Sequence, residues 1–144
     1  MFLLIPMLAL LLGIALSLAL VGLARMYPPV RERAFYAVGL VIAALVYVVL
    51  GVVGGASAQW LLFETLGVFL YGTAAWVGLR GKPLLIALGW AAHVGWDLLL
   101  HLSGAGAEYT PHWYPWFCVG FDLVIAGAVL ASSRRGLADP QLSS

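Results

Sequence analysis

The chain has 144 residues, 64% of them hydrophobic and 9% charged, with a formal net charge of +1 and a mean hydropathy of +1.05. Soluble domains carry about a quarter of their residues as charges, so a water-soluble fold is excluded, and a balance this close to neutral offers no basic surface for nucleic acid. What remains is an integral membrane protein.

A helix crosses the hydrocarbon in about 20 residues, and the charges, glycines and prolines divide the chain into five such spans, at 2–24, 34–54, 59–79, 84–103 and 113–132. The alternation of a membrane barrel is missing. The expected fold is therefore all-α, a compact five-helix transmembrane bundle forming one domain over 1–144. The joints RMYPPVRER, GGASA, RGKP and SGAGAEYTPH are short and hold Gly, Pro or charge, which suits antiparallel neighbours. Arg25, Arg31, Arg33, Arg80, Lys82, Arg134 and Arg135 then all fall on one side, which the positive-inside rule makes cytoplasmic. The N-terminus is predicted outside, and the tail SSRRGLADPQLSS inside. The first span lacks a basic n-region and its apolar run exceeds that of a signal peptide, so it reads as a retained helix.

Spans one and two read as scaffold. Their polar atoms are Ser17, Tyr36 and Tyr47, which snorkel or take a backbone partner, and the pairs Gly13/Ser17 and Gly51/Gly55 have helix-packing spacing.

Spans three to five carry Glu64, His93, Asp97, His101 and Asp122. Steps of four residues advance about 40° around a helix, so His93, Asp97 and His101 form one stripe that must face protein or water. An intramembrane acid carries an insertion penalty of about 2.5–3.5 kcal/mol, which demands partners. By rise per residue, Glu64 and Asp122 fall at depths matching this stripe, between the midplane and the outer surface, and all are expected to converge in a cavity open to the outer leaflet. Histidine and carboxylate at i, i+4 spacing are ligands for zinc or non-haem iron. His93, Asp97 and His101 are thus the predicted ligands of a divalent metal such as Zn, with Glu64 and Asp122 as catalytic base candidates. Tyr109, Trp113, Tyr114 and Trp116 read as an interfacial aromatic belt, and Trp90 and Trp96 as walls of an apolar pocket. His112 sits at the outer end of span five, and the single Cys118, which has no disulfide partner, is read as packed.

The elements Gly89-Trp90, His93-x-x-Trp96-Asp97 with His101 following, and Cys118-x-x-x-Asp122 resemble a family of small bacterial integral membrane proteins known only as a domain of unknown function. The resemblance covers the C-terminal half. It implies a bacterial inner-membrane location and a shared core at these positions, and supplies no activity.

Three functions compete. A metal-dependent intramembrane hydrolase would use the ion to activate water against a lipid-like substrate. A proton-coupled transporter or relay would use the same residues, though five helices make a small pore without a homo-oligomer, and LLIALGWAA continues the stripe with no ionisable group. An accessory subunit of a larger membrane complex would use them to bind a partner or haem. Beside all three stands a hydrogen-bonded polar network that only fixes helix register.

Overall fold

The structure, a computed structural model, describes residues 3–138, with side chains to residue 134; Met1, Phe2 and the end of the tail, Asp139 to Ser144, lie outside the described residues, as does the Arg135 side chain. Five helices are long and apolar enough to cross a membrane. They are α1 (Leu4–Ala24), α2 (Pro29–Gly54), α3 (Ala58–Leu79), α4 (Leu84–Trp96), continued by a π-helical segment (Asp97–Leu102), and α5 (Tyr114–Ala138). No strand occurs among the described residues.

The helix boundaries follow local chemistry. α2 begins five residues before the expected 34, because Pro29 occupies its first position, where a missing N–H costs nothing. The charged segment RER is therefore the first turns of a helix, with Glu32 accepting from the hydroxyls of Tyr36 (3.1 Å) and Ser132 (3.0 Å). Gly55 ends α2 at φ 75°, a left-handed cap that glycine adopts without strain, so it is a stop signal rather than the packing residue expected. Ser57 caps α3, accepting from the Trp60 amide at 3.3 Å.

Packing places α4 at the centre. It contacts α5, α3 and α2, while α1 lies almost wholly against α5. α1 buries Ala9, Gly13, Ser17, Val21 and Ala24 on one narrow stripe, as the spacing of Gly13 and Ser17 predicts. At the α2–α4 crossing, the buried Trp90 indole donates to the Tyr36 carbonyl at 3.0 Å, so Trp90 belongs to the packed core with Leu40, Ile86 and Ile125 rather than to a pocket. Outward faces are apolar: Phe69 and Leu99 are each 70% exposed, and such residues recur along every helix, far beyond the patches that soluble monomers show.

Successive helices joined by short turns run antiparallel. Arg25, Arg31, Arg33, Arg80, Lys82 and Arg134 accordingly share the end of the bundle with the α1–α2 and α3–α4 turns. The opposite end, made by the α2–α3 turn and the α4–α5 loop, carries Glu108 and no Lys or Arg.

Candidate metal centre and acid–imidazole pair

Glu64, His93, Asp97, His101 and Asp122 are all buried to within 1% exposure, so the stripe faces protein as its spacing requires. They divide into two adjoining groups. In the first, His93 Nδ1 lies 2.8 Å from Asp122 Oδ2 and 3.6 Å from Asp97 Oδ1. One donor atom from each of the three residues lies within 4.8 Å of the others, close enough to share one ion. Tyr47 of α2 donates to Asp97 Oδ1 at 2.5 Å. Two atoms of the group, His93 Nε2 and Asp97 Oδ2, are buried with no hydrogen-bond partner among the described residues. An unpartnered buried polar atom is costly, which makes these two atoms the chemically available ones.

In the second group, His101 Nε2 lies 3.1 Å from Glu64 Oε1. The same oxygen accepts from Tyr109 Oη at 2.9 Å, and Glu64 Oε2 accepts from Trp96 Nε1 at 3.2 Å. His101 Nδ1 faces the Trp96 carbonyl at 3.4 Å, a contact that suits a proton on that nitrogen. Its Nε2 and the Glu64 carboxyl then hold one further proton between them, as an ion pair or as acid and neutral imidazole. Outside the spans, burial and the neighbouring Glu64 carboxylate raise the Tyr109 hydroxyl above its ordinary value, so it stays a donor.

The partner sets differ from those expected. His101 stands with Glu64 rather than with His93 and Asp97, and Asp122 takes the place beside His93. α4 changes to a π-helix at Asp97, a wider turn often found at functional sites. Beyond that point the α-helical stripe no longer describes where side chains meet. The two groups touch through Tyr47, whose ring stacks on His101 with centroids 3.6 Å apart while its hydroxyl holds Asp97. Tyr71 sits edge-on to His93 at 5.0 Å. Cys118 is buried beside Tyr47 and Tyr114, packed as expected, and His112 is exposed.

Tyr47 and Tyr109 corrected two readings. Tyr47 is no snorkelling scaffold residue, and Tyr109 is more than belt. For Tyr47 a signal existed: Tyr36 and Tyr47 are eleven residues apart, three helical turns, and so share the face that buries Leu40, Ala44 and Gly51. Tyr47→Phe removes the donor to Asp97 with little change in shape. The expected result is a fall in metal affinity of about 10–100-fold, as for other residues that orient ligands, read by competition with a fluorescent chelator. Unchanged affinity would separate Tyr47 from the centre.

A cavity of about 500 Å³ opens at the cation-free end, lined by Gly54 to Ser57, Gln59, Trp60, Phe63, Ala105, Glu108 and Tyr109. None of the five buried ionisable residues lines it; Tyr109 separates it from Glu64. The convergence of the five residues therefore lies beside this cavity rather than on its wall. The profile of one protein family, described as a family of unknown function (DUF6010), matches residues 8–135. No curated protein and no solved structure matches the chain.

Proposed function

The chain belongs to the DUF6010 family, which brings no activity with it, and from the buried geometry we propose an integral membrane protein that holds a divalent cation, zinc being the first candidate, through His93, Asp97 and Asp122. The observation that carries this reading is the convergence of one donor atom from each of the three residues within 4.8 Å. Two carboxylates in an apolar interior need positive charge, and the described Lys and Arg residues belong to the far end of the bundle. A divalent ion matches that deficit, and imidazole with carboxylates is a ligand set suited to zinc or iron.

The reaction class we assign is hydrolysis of an ester-type bond in a lipid-like substrate. Bound cation would supply Lewis acidity. The chain's own contribution is the Glu64–His101 pair, one aromatic ring away from Asp97, which takes the proton that attacking water loses and returns it to the leaving alcohol, with Tyr109 and Trp96 orienting Glu64. Asp122, the other candidate base, serves instead as a ligand that also fixes the His93 ring. Protein purified without chelator should contain one divalent ion per chain, absent from His93→Ala, and should cleave a fluorogenic phospholipid or acyl ester with a loss of activity on chelation. A metal-free wild type would leave the cluster as a hydrogen-bonded network that sets helix register.

The arginine-rich end is proposed to be cytoplasmic, in a bacterial inner membrane. Reporter fusions should place residues 103–113 outside, and residues 25–33 and 80–83 inside; a cytoplasmic 103–113 loop would reverse the orientation and the side from which the site is reached.

A further inference from the structure

The cavity at the cation-free end has a chemistry of its own. Its walls include the rings of Trp60, Phe63 and Tyr109, and the acid among its lining residues is Glu108. Trp60 and Phe63 are stacked with centroids 5.2 Å apart, and Phe63 stacks in turn on Trp96 at 5.0 Å, so an aromatic ladder runs from the cavity inward. The foot of that ladder is a carboxyl group: Trp96 donates to Glu64, and Tyr109 donates to the same carboxyl from the cavity wall. Aromatic faces beside the Glu108 carboxylate, with no Lys or Arg in the lining, attract an organic cation. One donor in the lining is unmatched, since Trp60 Nε1 is buried and has no partner among the described residues. It is the donor that an oxygen carried by the same ligand would satisfy.

We propose that this cavity binds the ammonium-bearing headgroup of an amphiphile, with the ammonium against Glu108 and the aromatic rings and a headgroup oxygen accepting from Trp60. The lipid source follows from position. The cavity opens where α2 and α3 turn, and Val52, Val53 and Leu62 beside it are 62%, 81% and 62% exposed, an apolar surface along which an alkyl chain can lie. A free amine has no use for that surface. This inference rests on the reading of a lipid-like substrate and narrows it to cationic or zwitterionic headgroups.

The test uses the full chain in a nonionic maltoside micelle, following the Trp60 indole N–H resonance, identified by its loss in Trp60→Phe. Dodecylphosphocholine should shift it saturably. Glu108→Gln should weaken that binding by about three- to tenfold, the range expected of one partly exposed charge with its cation–π setting. Tetramethylammonium should bind far more weakly than the alkylated probe, since it lacks both the chain and the oxygen. Saturation by tetramethylammonium alone at the same concentration would overturn the lipid source. An equal shift with dodecyl sulfate, or a Glu108→Gln affinity equal to wild type, would overturn the cation site itself. The metal content of the same samples reports separately on the centre at His93, so the two readings can fail independently.

Discussion

Asp97→Asn is expected to strip the divalent ion from the purified protein while leaving its helical fold in place. Asp97 Oδ1 accepts from Tyr47, and Oδ2 is buried without a partner among the described residues. Asparagine keeps an oxygen for Tyr47 and the same shape, but removes the anionic charge and offers an N–H₂ where a ligand atom is needed. Loss of affinity should reach about a hundredfold or more, above the effect of removing an orienting residue. A purely structural Asp97 predicts a different outcome, because one uncharged hydrogen-bonding group would replace another. Metal content by elemental analysis, beside circular dichroism of both proteins, separates the two. Full occupancy in Asp97→Asn takes this residue out of the ligand set.

The sequence made some of this arrangement readable. Continuous apolar runs interrupted by RER, GGASA, RGKP and SGAGAEYTPH mark all five helices, with ends up to six residues from those observed, because hydrocarbon admits little else. Ionisable groups in such runs must turn inward, so the burial of Glu64, His93, Asp97, His101 and Asp122 was legible too. Which of them meet was not. Pairing depends on how α3, α4 and α5 are rotated against each other, and on the widening at Asp97, neither of which leaves a periodic trace. Hence His101 and Asp122 exchange the neighbours expected of them. Tyr109 was unreadable for another reason: an interfacial tyrosine looks the same whether its hydroxyl meets water or a buried glutamate. The start of α2 lies earlier than its apolar run because a proline pair followed by charge, which marks a loop in many chains, here begins a helix.

Gly13→Val should be the most destabilising change in the bundle's periphery. A β-carbon at Gly13 would stand 2.1 Å from the Phe117 carbonyl oxygen, and one at Gly120 would stand 2.4 Å from the Leu10 carbonyl oxygen. Both obstacles are backbone, which cannot rotate away as a side chain can. The α1 and α5 axes must separate, losing the close approach that holds transmembrane helices together. The expected cost exceeds the usual overpacking range of about 1–3 kcal/mol, and Gly120→Val should match it. Gly22→Ala and Gly127→Ala, where an added β-carbon meets nothing within 4 Å, serve as controls and should melt with the wild type. Thermal unfolding of the purified proteins in detergent measures all four. A Gly13→Val midpoint equal to wild type would mean that α1 and α5 do not approach as described.

The meeting of α1 with α5 also bears on the order in which the protein is made. Ribosomes deliver α1 before α5, yet α1 touches its immediate successor little and meets its main neighbour only after three further helices have been made. Until then its glycine stripe faces lipid or the insertion machinery. Asp122, which sits beside His93, arrives on that same last helix. A chain halted before α5 would therefore leave α1 loose and His93 and Asp97 without their third companion. Quality-control proteases should find such unfinished chains easy to recognise, and assembly of the centre has to wait for α5.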